Sequence, residues 1–316
     1  MRKPDVFLVG AARCGTTSMY RYLGQHPQVF APHKKEPCHF ATDLDSGSYQ
    51  DSRYFIRDRA EYLGLFAPAK TDQTVLDGSV WHLYSRVAAQ EIARFAPDGR
   101  ILIMLRNPLD MMYSWHARRV MAGAEDITDF EVALAVEPER KAGRRIPPAS
   151  FLLPALFYRE VASFSEQVER YRASFPAERI CIVIFDDFQR DTLGTYRDVL
   201  RFLGLRDDFQ PSLEVGNPSK TVRSPMLRDV LRNPRLHSFS NRLVPAPVWR
   251  RVRPLFKGIH EMNRRDESRA AMDIELRRRL EREFEPEVQR LGELVGRNLA
   301  ALWFARERAP SGVGGR

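Results

Sequence analysis

Val6-Phe7-Leu8-Val9-Gly10-Ala11-Ala12-Arg13-Cys14-Gly15-Thr16-Thr17-Ser18 is the stretch whose reading decides the fold. An apolar run ends at Gly10, a short loop closes at Gly15, and two threonines and a serine open a helix. A strand, a glycine-bounded loop and a helix N-terminus together form an anion site, because the loop N–H groups point inward and the helix dipole adds partial positive charge. The spacing from Gly10 to Gly15 is that of a P-loop. The lysine that a nucleotide triphosphatase needs after the second glycine is absent, and Thr16 stands there. Arg13 is the only cation in the loop. Cys14 has two readings, a thiol activated at a helix N-terminus or a small loop filler.

Outward from this stretch, the 316 residues are long for one domain and short for two. An apolar content of 43% supports a full core, and a formal charge of +9 favours acidic ligands or surfaces. Cys14, Cys38 and Cys181 are odd in number and have no CxxC spacing, which points to a reducing compartment. The N-terminus runs directly into the first strand and no apolar run reaches membrane-spanning length, so the expected location is cytoplasmic.

Strand and helix patterns alternate along the chain. A helix is expected from Thr17 to Gly24, a brief strand at Val29-Phe30-Ala31, and a proline-constrained loop from Pro32 to Phe40. One helix is expected around Tyr54 to Phe66, a strand from Thr74 into Asp77-Gly78-Ser79, a helix over Ser85–Phe95, and a buried strand at Ile101-Leu102-Ile103-Met104-Leu105. Leu109–Met121 reads as helix, 123–150 as a charged surface insert, Ala155–Phe175 as one long amphipathic helix, Ile180–Phe185 as a strand and Leu193–Leu203 as a helix. Ile274–Phe304 reads as a final helical stretch broken at Pro286 or at Gly296, and the end after Arg308 as a disordered tail over 309–316. The expected fold class is α/β, a P-loop-like three-layer fold. It has a central parallel sheet, helices on both faces and a helical C-terminal portion, all in one domain over 1–308. Ligands of such sheets bind beyond the carboxyl ends of the strands, where the loops 10–18, 77–82 and 106–114 leave.

Arg106 ends a buried strand and Ser114 lies early in the next helix. Together they suit a second phosphate, the guanidinium bidentately and the hydroxyl as donor. The alternative is a strand-end salt bridge and a solvated serine. His33, Cys38 and His39 fit no standard zinc spacing, so no metal is expected. The segment 224–269 is rich in arginine with interleaved aromatics. It reads as a solvated face, a surface steering an acidic acceptor, or a peripheral membrane contact; no nucleic-acid module is recognisable.

Gly10-Ala11-Ala12-Arg13-Cys14-Gly15-Thr16-Thr17-Ser18, Lys35-Glu36-Pro37-Cys38-His39-Phe40 and Arg106-Asn107-Pro108 with Ser114 resemble, in order and spacing, the motifs of sulfotransferases that use 3′-phosphoadenosine 5′-phosphosulfate (PAPS). The resemblance is to the heparan-sulfate-sulfotransferase-like branch with its bacterial members, over about residues 5 to 300. It implies an enzyme that moves a sulfuryl group from PAPS to a hydroxyl or amine of a small-molecule, glycan or lipid-like acceptor and releases adenosine 3′,5′-bisphosphate (PAP). It implies a phosphosulfate loop of Arg13, Cys14, Gly15, Thr16, Thr17 and Ser18. Arg106 and Ser114 would form a 3′-phosphate pair, and Lys220 or Arg223 would act as a further cofactor contact in a closing loop.

Glu36 falls where that branch places its general base. A carboxylate there could take the acceptor proton while Arg13 and the loop amides stabilise the leaving phosphate. Glu36 otherwise reads as an ion pair with Lys34 or Lys35. His39 is its rival as base, and His82 is a further protonatable candidate; each otherwise reads as a structural histidine. Some relatives carry a lysine after the third strand. Asp77-Gly78-Ser79-Val80-Trp81-His82 has none, which leaves that role to Arg13 or to Lys35. The segments 40–72 and 123–150 and the basic segment 224–269 are expected on the acceptor side. The rival functions are a P-loop kinase-like phosphotransferase and a non-catalytic binder of acidic partners. Oligomeric state stays open.

Overall fold

Five short strands carry the molecule: β1 (Val6–Gly10), β2 (Val29–Phe30), β3 (Thr74–Gly78), β4 (Arg100–Leu105) and β5 (Ile180–Ile184). The computed structural model describes residues 2–46, 54–213 and 271–304, with the backbone of two further strands, Thr221–Val222 and Arg264–Arg265. The five strands pair in parallel in the order β2-β3-β1-β4-β5. Parallel neighbours need crossover connections, and helices supply them. Residues 101–105 of β4 are wholly buried, as a strand covered on both faces must be. After β1 the chain builds β2 and β3 on one side and then β4 and β5 on the other. The direction therefore changes at β1, and the crevice opens outside its carboxyl end.

Local chemistry sets most helix limits. The first helix, Thr16–Gln25, starts after Gly15. The helix Pro108–Met121 starts on Asn107, whose side chain accepts the Leu109 N–H at 2.9 Å, with Pro108 in the first turn where its missing N–H costs nothing. The helix Thr192–Leu203 stops at Gly204, in the left-handed conformation. Of the two breaks expected in the last stretch, the helix Ile274–Val295 runs through Pro286 and ends at Gly296. A second helix, Leu299–Phe304, follows.

Three expectations need correction. The stretch Ala155–Phe175 is not one helix: Tyr158–Ala162 and Phe164–Ser174 are separated at Ser163, whose hydroxyl donates back to the Arg159 carbonyl at 2.9 Å. The helix expected around Tyr54–Phe66 is only Arg59–Gly64, capped by Asp58. The insert 123–150 is not merely surface. It holds two short helices, Phe130–Ala135 and Glu137–Lys141, and a fully buried ion pair that Tyr158 of the body joins. Arg140 grips both oxygens of Glu125 at 2.6 and 2.7 Å, and the Tyr158 hydroxyl donates to the same carboxylate at 2.6 Å. Burial opposes ionisation of Glu125, but the hydrogen bonds from Arg140 and Tyr158 outweigh it and hold the carboxyl below its usual range.

Lys220, Arg223, the basic segment 224–269 (apart from the backbone pairing of Arg264–Arg265 with Thr221–Val222) and the tail 309–316 lie outside the described residues. No described helix is long and apolar enough to cross a membrane.

Candidate active site

The loop after β1 turns on two left-handed residues, Arg13 (φ 64°) and Gly15 (φ 87°). At Gly15 a Cβ would also lie 2.9 Å from the Phe185 ring, so only glycine fits. This tight turn points the helix start back over the loop. The backbone N–H groups of Gly15, Thr16 and Thr17 have no protein acceptor among the described residues, which is the condition of an anion cradle. Cys14 sits beneath it, fully buried. Its thiol is pushed up to about 12 by burial, against the opposing charges of Arg106 and Arg13, so it fills the loop as an inert thiol.

Ser114 is not a solvated serine. It is buried, and its hydroxyl oxygen accepts Arg13 Nε at 2.9 Å. The partner expected for it, Arg106, does not end in a salt bridge either. Its guanidinium lies 4.9 Å from the centroid of the Phe185 ring, with no carboxylate within ion-pair distance among the described residues. The two arginines thus approach Cys14 from the loops after β1 and β4.

The loop after β2 brings in Glu36, itself left-handed at φ 65°. Its N–H donates to the Gly78 carbonyl at 2.9 Å, while its carboxylate accepts the Val80 N–H at 2.7 Å on one oxygen and Lys35 Nζ on the other. Both anchors are at the end of β3, so the sheet holds this carboxylate. Lys34, Lys35, Glu36, Arg13, Thr16 and Thr17 share one cavity of about 740 Å³. The missing lysine after β3 has a steric counterpart. A Cβ at Gly78 would lie 2.5 Å from the Tyr20 ring, so that ring occupies the space a side chain there would enter, with Lys35 Cε beside it at 3.5 Å.

His39 is placed elsewhere. It stacks on Tyr62 at 4.2 Å, its Nδ1 pairs with the Ile56 carbonyl at 2.7 Å, and it lines a separate cavity with Arg57 and Phe95. Burial lowers its pKa below the ordinary value. His39 and Glu36 thus line different cavities, which spacing alone could not tell. His82 is fully buried, accepts the Phe40 N–H at 3.3 Å on Nε2, and is driven down to about 3 by desolvation. It is therefore neutral at physiological pH. Among the described residues no three His, Cys, Asp or Glu side chains group as a metal site requires.

Asp77 was quoted in the sequence without a role, and the structure gives it one. Its carboxylate accepts the Tyr62 hydroxyl at 2.6 Å and the Ser79 hydroxyl at 2.7 Å, and Ser79 Oγ in turn accepts the Cys38 N–H at 3.0 Å. This network pins the backbone two residues beyond Glu36. Burial raises the Asp77 carboxyl to about 6, against the opposing hydrogen bonds of Tyr62 and Ser79. The folded chain therefore holds this proton to about pH 6, whereas the unfolded chain releases it near 4. Stability should fall across that window as pH rises, by about 3 kcal/mol in all. Denaturation curves from pH 4 to 7 should show this descent in the wild type and not in Asp77→Asn; parallel curves would refute it.

The cavity wall also draws Tyr54 from the segment 40–72 and Ala124 and Ala149 from 123–150, and Trp81, Trp115, Arg119 and Phe151, which line it too, were not singled out in the sequence. Trp115 was within reach of sequence reasoning, since it follows Ser114 in a helix whose next turn carries Arg118 and Arg119.

The fold and the loops define a class: a P-loop-like α/β transferase whose anion cradle lacks the nucleotide-triphosphatase lysine and faces a carboxylate. Residues 3–222 match the sulfotransferase domain, and the chain belongs to that family. It is similar to human bifunctional heparan sulfate N-deacetylase/N-sulfotransferase 3, at 22% identity over 213 residues, and to human enzyme 2 of that name, at 24% over 211. Each alignment covers 65% of this chain and 22% of the relative, so the chain spans about a fifth of those proteins' length. Among solved structures it is similar to a sulfotransferase from Alicyclobacillus acidocaldarius. The TM-score is 0.72 and the identity 29%, covering 95% of this chain and 99% of the other.

Proposed function

We propose that this sulfotransferase takes its sulfuryl group from PAPS, transfers it in line to a hydroxyl or amine, and releases PAP. One observation carries this reading: Arg13, the cradle threonines and Glu36 face a single cavity although they come from two different loops. The donor supplies an activated sulfur whose bond to the bridging phosphate oxygen breaks as the bond to the acceptor forms. Glu36 takes the acceptor proton. Its oxygens retain lone pairs beyond those engaged by Val80 and Lys35. Arg13 and the amides of Gly15 to Thr17 neutralise charge on the leaving phosphate, and Lys35 stands where a cation can assist at the sulfate. Ser18 and Thr16 to Thr17 supply hydroxyl donors. Arg106, with Ser114 behind Arg13, holds the 3′-phosphate. Lys220 or Arg223 would add to that grip.

We read residues 1–308 as one domain with 123–150 and 224–269 on the acceptor side, and we place the protein in the cytoplasm, a reading supported by its three unpaired cysteines. A kinase-like reading is disfavoured by Thr16 at the lysine position.

Thermal shift separates the readings. PAP should stabilise the protein and ATP with magnesium should not; the reverse would sink the donor assignment. Arg106→Ala should weaken PAP binding by about 2 kcal/mol, roughly 30-fold in Kd, the value of a charge-assisted bond to phosphate. Titration calorimetry reads it, and an unchanged Kd removes Arg106 from the 3′-phosphate.

A further inference from the structure

The cavity that holds Glu36 also has an aromatic wall with a buried cation in it. Trp81 and Trp115 meet edge to face at 5.7 Å, and the rings of Tyr54 and Phe151 stack face to face at 3.6 Å. Arg119 lines the same cavity from the Pro108–Met121 helix and is only 6% exposed. Its guanidinium lies 5.8 Å from the centroid of the Trp115 ring. Nη2 donates to the Ser150 hydroxyl at 2.8 Å and to the Ala124 carbonyl at 3.3 Å. Nε is buried with no hydrogen-bond partner, and among the described residues no carboxylate comes within ion-pair distance of the guanidinium. The nearest candidate, Glu125, is already engaged by Arg140, Tyr158 and the Ile127 N–H.

A buried arginine without a counter-ion is costly unless something pairs with it. Here no carboxylate among the described residues does, and the side chain borders a cavity of about 740 Å³, a size suited to a small molecule. The aromatic surround favours a flat apolar body. The planar fork of arginine suits a carboxylate.

We propose that the acceptor is a small aromatic hydroxy acid, a phenol or aryl alcohol whose carboxylate pairs with Arg119 while its hydroxyl meets Glu36. This deepens the sulfotransferase reading and rests on it. Arg119 selects and orients the acceptor and takes no part in the proton transfer.

The test needs no variant at first. With PAPS saturating, 4-hydroxyphenylacetate is compared with 4-hydroxyphenylacetamide, which has the same ring and hydroxyl but no charge. The expected result is sulfation of both, with kcat/KM at least 10-fold higher for the acid through KM. In Arg119→Gln the preference should fall below 2-fold, chiefly by loss of affinity for the acid. Arg119→Lys should restore part of the preference. Equal kcat/KM for acid and amide in the wild type would overturn the proposal. So would PAP binding with sulfation of a glucosamine oligosaccharide but of neither phenol. Failure to bind PAP at all would overturn the donor assignment and this inference with it, and calorimetry with PAP alone tells the two failures apart.

Discussion

Glu36→Gln should bind PAP as the wild type does and lose roughly 10²–10⁴-fold in kcat, the range that a positioned general base supplies. Glutamine retains an oxygen for the Val80 N–H, now at 2.7 Å, and a similar shape against Gly78, so the loop should keep its course. What it cannot do is accept a proton. The substitution also removes the partner of Lys35 Nζ, leaving a cation that can still reach the sulfate. PAP calorimetry and steady-state kinetics therefore separate on this variant: unchanged Kd, collapsed kcat. An enzyme within 10-fold of wild-type kcat would remove Glu36 from the role of base. His39 would not inherit it without a rearrangement of the loop, since its ring is stacked on Tyr62 and borders another cavity.

Arg140→Ala should destabilise the chain by about 3–5 kcal/mol, because it leaves Glu125 as an uncompensated buried charge. Both side chains are 0% exposed, so water cannot take over the lost bonds. The pH dependence follows. In the folded wild type Glu125 is held below its ordinary pKa, and its contribution is present above about pH 4.5 and is lost as pH falls through the folded value. In Arg140→Ala, protonating Glu125 relieves the penalty. The gap between variant and wild type should therefore be largest near neutrality and shrink in acid. Urea denaturation at pH 7 and pH 4 reads both points. A gap under 1 kcal/mol at pH 7 would contradict the buried-pair assignment. The double variant Glu125→Gln with Arg140→Met should cost less than the sum of the single changes, since neither charge is left alone. The clamp also matters to the site, because Ala124, the neighbour of Glu125, lines the cavity that holds Glu36 and accepts a bond from Arg119.

The parts legible in the sequence are those whose causes are local. Continuous apolar runs announce β1, β4 and β5, because a strand covered on both faces needs apolar residues throughout. Gly10, Gly15 and the hydroxyl residues after them announce the cradle, since a left-handed turn and bare helix N–H groups leave a mark in consecutive residues. Asn107-Pro108 marks a helix start and Gly204 and Gly296 mark helix ends for the same reason. Ser163 hides its break inside an amphipathic pattern that continues across it, and the short helix Phe185–Arg190 is too brief for its period to register.

By itself, then, the sequence determined a parallel α/β sheet, an anion cradle without the triphosphatase lysine, and a short set of residues around it. Only the tertiary structure decided which of them meet. Ser114 is 101 positions from Arg13, Glu36 hangs from Gly78 and Val80 at the end of another strand, and Arg140 closes on Glu125 inside a segment that reads as surface. It also turned His39 away from the cavity and set Arg119 among aromatic rings. The physical reason is range. Backbone conformation and hydrophobic period act over a few residues and are written in their order, whereas charge pairing and desolvation depend on neighbours that the folded sheet alone brings together.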